Sequence, residues 1–231
     1  MNAAEINSNP LFGVTTTIAA YVASQALHRR WPRLHPLLPT CGVLIALLLM
    51  AHIPYASYKH GGDLITFFLG PATVALGVPL YKQSQKIRGH VPALLAAIFA
   101  GSVSGMVSAA LFVWAFHGSR SLLLSMIPKS VTTPISMEVS RLIGGEPDLT
   151  AVFTVIAGLI GSVIGPRLLR RLGVRNDLAI GVAMGTSSHG IGTARVIRES
   201  ELQGGVAGLA MAMAGIFTSL LAIPLYWWLR K

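Results

Sequence analysis

The sequence predicts an all-α protein of the membrane: about seven transmembrane spans plus a re-entrant or discontinuous segment, related in part by an inverted repeat. Three observations carry that reading. Of 231 residues, 53% are hydrophobic and only 11% charged, about half the charged share of an ordinary soluble domain. The apolar residues are gathered into blocks near the roughly 17–25 residues that a helix needs to span a bilayer. Between apolar runs at 122–127 and 151–164 lies PKSVTTPISME, residues 128–138, in which a lysine, two prolines and four hydroxyl residues stand together. Pro134 has no N–H and crowds the preceding turn, so a helix breaks there. In hydrocarbon, broken backbone is tolerated only where it is buried in protein or lines a wet cavity.

The first span is expected at 10–27, closed by His28, Arg29, Arg30 and Arg33. Its Thr15, Thr16 and Thr17 suit helix packing and hydroxyl back-bonding. A second span at 37–53 leads into the polar loop HIPYASYKHGGD, with Tyr55 and Tyr58 as an interfacial aromatic pair. Residues 64–81, LITFFLGPATVALGVPLY, are apolar but interrupted at Gly70-Pro71 and again at Gly77 and Pro79. Residues 91–116 form a clean span with a small face at Gly101, Ser102, Ser104 and Gly105. After the broken stretch, 151–169 spans back toward Arg167, Arg170, Arg171 and Arg175. Residues 178–196 then run outward and 204–229 return to Arg230 and Lys231.

The net charge of +10 comes from 18 Lys+Arg against 8 Asp+Glu. The basic residues sit in short loops between spans, as the positive-inside rule requires; no recognition motif accompanies them, and no nucleic-acid partner is expected. The same rule puts the N-terminus outside and the C-terminus in the cytoplasm. The one cysteine, Cys41, excludes an intrachain disulfide, and no Cys/His spacing suggests a metal or cofactor. The N-terminus lacks the basic region of a cleaved signal peptide.

The whole chain, 1–231, reads as one integral membrane domain containing two repeat halves, about 62–116 and 120–170. Pro71 set against Pro128 aligns Thr73 with Ser130, and GSVSG at 101–105 matches GSVIG at 161–165. Corresponding Gly/Pro-interrupted segments in two halves are the pattern of a transporter site.

Helix breaks at Pro71, Pro128 and Pro134 leave backbone N–H groups free to meet an anion. Lys129 supplies the positive charge, and Ser130, Thr132, Thr133 and Thr73 add hydroxyls. The plain alternative has Lys129 snorkelling to an interface. The second polar motif, MGTSSHGIGTAR at 184–195, is loosened by Gly190 and Gly192. Its candidates for substrate contact are Ser187, Ser188, Thr193 and Arg195, and His189 is a proton carrier or a core histidine satisfied by a carbonyl. Glu138 is a coupling carboxylate or the i,i+3 partner of Arg141. Neighbouring Ser188 and His189 point about 100° apart on a helix and no nucleophile elbow is present, so an enzyme is not expected.

PKSVTTPISME and MGTSSHGIGTAR together, with YASYKHGGD, LGPATVALGVPLY and GIFTSLLAIPL, resemble the LrgB/CidB family in the family's order from about Tyr55 to Leu225. The resemblance implies an antiholin-like protein, or effector of murein hydrolase export, in the bacterial inner membrane, paired with a small LrgA/CidA-type membrane protein. Relatives in the wider family are linked to transport of pyruvate, glycolate or glycerate. The expected function is secondary transport of a small monocarboxylate linked to control of autolysis; the alternative is a non-transporting regulator. A homo-oligomer is expected.

Overall fold

The computed structural model describes residues 9–31, 35–75 and 77–229. Among them every regular element is helical and there is no strand. Expectations resting on residues 1–8, Arg33, Arg230, Lys231 and the side chain of Thr73 lie outside the described residues. Among the described residues four stretches are long and apolar enough to cross a membrane: Tyr55–Lys82, Val91–Ala115, Pro147–Arg171 and Glu201–Trp227. The chain divides into two compact units, Met1–Ala75 and Leu76–Lys231.

In the first unit, α1 (Pro10–Arg30) starts at Asn9, whose side chain accepts from the Leu11 N–H, and α2 (Leu37–Met50), α3 (Tyr55–Phe67) and α4 (Leu69–Ala75) follow. α1 and α3 cross where both lack side chains: a Cβ on Gly13 would meet the Tyr58 carbonyl and Gly61, and one on Gly61 would meet the backbone of Pro10 and Val14. Such small-residue contacts let membrane helices approach closely. Thr17 Oγ1 bonds the Tyr58 hydroxyl at 2.8 Å and donates back to the Gly13 carbonyl. Within the threonine run Thr17 does the packing expected, and Thr16 back-bonds to the Phe12 carbonyl at 2.7 Å. α4 carries Pro71 in its first turn.

The second unit holds α5 (Gly77–Lys82), α6 (Ser84–Arg88), α7 (Val91–Ala115), α8 (Arg120–Met126), α9 (Thr133–Ile143), α10 (Pro147–Arg171), α11 (Asp177–Val196) and α12 (Glu201–Leu229). α7 and α10 run antiparallel. Ile87 of α6 and Leu94, at the start of α7, pack with Val182 and Val206. The last turn of α10 reaches the same end, where Arg170 bonds Glu199 just ahead of α12. We call this the arginine end. On α10 the faces are sorted inside out: Thr150, Thr154, Gly158 and Ser162 are buried, while Val152, Ile156, Ile160 and Ile164 are exposed. Small and polar residues inside with branched apolar residues outside suit lipid as the solvent.

Two helical hairpins enter this frame from opposite ends. The first is α8, a break at 127–132, and α9. Pro134 sits in the first turn of α9, where its missing N–H costs nothing. Gly144 ends α9 with φ +87°, a left-handed cap open to glycine, and the Gly145 N–H donates to the Ser140 carbonyl at 2.8 Å. The proline-broken stretch thus folds as a helical hairpin whose two limbs start and finish at one end.

The second hairpin corrects the expected topology. Residues 178–196 do not run from one end to the other; α11 doubles back at His189, whose φ of +39° and ψ of −135° are non-helical. A straight helix would hold its ends about 30 Å apart. Instead Asp177, at its start, accepts from Ser200 Oγ at 2.9 Å and Gln203 Nε2 at 2.8 Å, both beyond its end. A Cβ on Gly192 would touch Ser188 and Met184, so the two limbs lie side by side. α12 therefore leaves from the arginine end. Its later residues, Ala222 and Leu225, pack with Leu124, Ile127 and Ile143 of the first hairpin. The C-terminal end of α12 lies at the far end, opposite the arginines, and not beside them as counting spans implies.

Candidate functional site

α7 brings the two hairpin tips together. Its small face, the GSVSG run, presents Gly101 to Thr186 of the second hairpin and Gly105 to Ser130 of the first, with a Cβ at either position landing 3.3 Å from a hydroxyl oxygen. These glycines are one turn apart near the middle of a 25-residue helix. α10 seats the second hairpin from the other side. Gly158 faces the His189 ring, Gly161 faces Ser188 and Gly165 faces Met184. The limb entering from the far end, α8, is about 10 Å long and the limb from the arginine end about 18 Å. Between them they reach across a hydrocarbon layer of about 30 Å.

A groove of about 990 Å³ runs from the arginine end to this meeting point, with His90 and Asn176 at its mouth and Lys129 and Ser130 at its depth. Along α7 it extends from His90 to Ser108, about 27 Å at 1.5 Å per residue. Its outer walls are apolar, from Leu94, Ala97, Leu178 and Val182; hydroxyls of Ser104, Ser108, Ser130, Thr186 and Ser187 gather deeper in. Lys129 is half-buried and donates to Ser130 Oγ at 3.3 Å. Among the described residues no carboxylate pairs with it; the ion pairs there use Lys59, Arg141, Arg170 and Arg195. A partly desolvated cation without a counter-ion is costly.

The expected site residues separate into groups. Lys129, Ser130 and Ser187 share the groove. Ser188 is buried beside Ser187, Oγ to Oγ 3.0 Å. Thr193 donates to the His189 carbonyl at 2.8 Å and holds the second limb to the turn. Thr132 and Thr133 stand at the start of α9, outside the groove lining; no side chain caps that helix. Arg195 lies at the arginine end, paired with Glu199. Glu138 pairs with Arg141 on an exposed face and does not line the groove. His189 Nε2 donates to the Thr154 carbonyl at 3.0 Å, the bond of a core histidine. Gly190 follows the reversal and Gly192 lets the limbs close, while the backbone break itself falls on His189. Pro71 and Thr73 belong to the first unit.

Sequence reasoning missed Ser108 and Thr186, and read Ser104 as packing alone. Their signal was a set of hydroxyls one turn apart on otherwise apolar helices. It also missed the buried Ser136, Ser140, Thr150 and Thr154, which pair across α9 and α10 as Thr150 Oγ1 to Ser140 Oγ at 2.7 Å and Thr154 Oγ1 to Ser136 Oγ at 2.9 Å.

The model of the LrgB-like family matches residues 17–228. The chain belongs to the LrgB-like family. A Bacillus subtilis protein named uncharacterized protein YwbG is 40% identical over 204 residues, covering 87% of this chain and 91% of the relative. The antiholin-like protein LrgB of the same organism is 32% identical over 225 residues, covering 96% and 97%. No solved structure matches. Family membership and the long apolar helices together make this a membrane protein, with the groove and its lysine inside an LrgB-like chain.

Proposed function

We propose that the protein is a secondary carrier of small monocarboxylates of the pyruvate, glycolate or glycerate type. The observation that carries this reading is Lys129: half-buried, without a carboxylate partner among the described residues, at the depth of an open groove. One carboxylate balances one ammonium, and charge-assisted bonds of this kind are about twice as strong as neutral ones. Ser130 and Ser187 complete the contact with the solute, and Ser104 and Ser108 lie within the same lining. The limited polar surface suits a small anion. His189 and Glu138 are already partnered and carry no proton in this reading.

The arginine end is placed in the cytoplasm by the positive-inside rule, in a bacterial inner membrane. A cysteine at position 171 then labels from the cytoplasmic face and one at 120 from the outer face; the reverse pattern overturns that orientation, and labelling of both from one face overturns the topology.

The name of the Bacillus relative supports a second reading, an antiholin-like regulator that moves no solute and acts with a small LrgA/CidA-type membrane partner. Uptake of labelled pyruvate and glycolate into proteoliposomes separates the two. Saturable uptake whose apparent affinity Lys129→Met weakens supports the carrier. Folded protein that takes up neither acid, alone or with the small partner co-reconstituted, leaves the regulator.

A further inference from the structure

The two halves of the second unit are built alike and turned over. GSVSG of α7 and GSVIG of α10 occupy antiparallel helices, and each helix is followed by a hairpin. Each hairpin opens on a side-chain cap: Ser119 accepts from the Leu122 N–H, and Asn176 from Leu178 and Ala179. SVTTPISMEVSR, leaving the first tip, corresponds to SSHGIGTARVIR through the second, with Ser130 over Ser187, Val139 over Val196 and Arg141 over Arg198. The inverted pair is thus α7 with the first hairpin and α10 with the second, not the halves 62–116 and 120–170.

The pseudo-symmetry has an asymmetric occupant. The groove lies along α7 and the first limb of the second hairpin, with the end of α10 as its third wall. The equivalent position is between α10 and the first hairpin, and it is shut. Its contact is a seam of hydroxyls: Ser121 donates to Glu146 Oε1 at 2.7 Å, the Glu146 N–H to Ser125 at 2.8 Å, Thr150 to Ser140 and Thr154 to Ser136. The opposite face of the same hairpin is apolar, packing Leu124, Ile127, Val139 and Ile143 with Ala222 of α12. Water can replace hydroxyl–hydroxyl bonds nearly one for one, whereas exposing the apolar face gains nothing in return. If the hairpin parts from a neighbour, it parts from α10 and stays with α12.

We propose that the hydroxyl seam between the first hairpin and α10 is a second, closed entrance, through which the Lys129 site opens to the far end when that hairpin leaves α10. The groove and the seam are then the same doorway in the two inverted halves, one open and one shut. The purpose of this entrance rests on the carrier reading; its existence does not.

The test uses a Cys41→Ser background with Ser140→Cys and Thr150→Cys. The two oxygens these replace are 2.7 Å apart, close enough for the sulfurs to bridge. Ser136→Cys with Thr154→Cys is the second pair, should the first fold poorly. A reporter cysteine at Ser130 is labelled with a membrane-impermeant maleimide from each side of the vesicle. With the seam reduced, the reporter labels from both ends, read as the excess over the seam pair alone; with it oxidised, from the arginine end only. In the seam pair without the reporter, uptake falls to background on oxidation until reductant restores it. Far-end labelling that survives the cross-link overturns the proposal, and so does reduced protein that labels from the arginine end alone. If uptake is absent even when reduced, the carrier reading falls, and the labelling by itself decides the entrance.

Discussion

The first hairpin holds to α10 with hydroxyls, the second with missing side chains. At Ser136–Thr154 and Ser140–Thr150 each contact is a neutral hydrogen bond between fully buried groups. At Gly158, Gly161 and Gly165 the contact is the absence of a Cβ, with His189, Ser188 and Met184 filling the space. A contact of the first kind exchanges partners with water; one of the second kind has a single fit and no substitute. The same long helix therefore offers one hairpin a releasable seam and the other a fixed seat.

The largest expected effect concerns the tips, which both hairpins share. Lys129→Met removes a charge-assisted contact worth about 1.5–3 kcal/mol, so apparent affinity for the carboxylate weakens by about 10–100-fold while the Tm stays the same or rises. Next is the fixed seat. Gly161→Val drives a side chain into Ser188, and overpacking of this kind costs about 1–3 kcal/mol, a Tm lower by about 3–10 °C in detergent. The seam responds less. Thr154→Val leaves Ser136 without that donor and costs about 1 kcal/mol, and Ser136→Ala in the same chain recovers part of the loss. A double-mutant cycle read by thermal unfolding measures the coupling, and strict additivity breaks the comparison. The smallest effect is at Glu138→Gln, an exposed pair worth about 0–0.5 kcal/mol, with uptake unchanged.

Much of this was legible in the residues. PKSVTTPISME announced a break because Pro134 cannot continue a helix, and the structure places α8, a tip and α9 there. GSVSG and GSVIG announced close packing because neither run has a bulky side chain, and both glycine pairs meet hairpin residues. The reversal inside α11 was not legible from length, because residues 178–196 are as long as a span. What betrays it is TSSH in the middle, where a crossing helix is at its driest. The reversal falls on a histidine with positive φ, so no proline or glycine marks the residue that turns. The seam was invisible for another reason. Ser136 and Thr154 look like ordinary small helix residues until the fold sets them opposite each other.

His189 has a consequence beyond the site. A helix that doubles back adds no crossing, so everything after it changes side relative to a count of apolar blocks. The cost of one unfavourable backbone conformation, about 1–3 kcal/mol, is met locally by the bond to Thr154 and the packing around it. A reporter fused after α12 would signal from the compartment facing away from the arginines, and an epitope there would be read from that side alone.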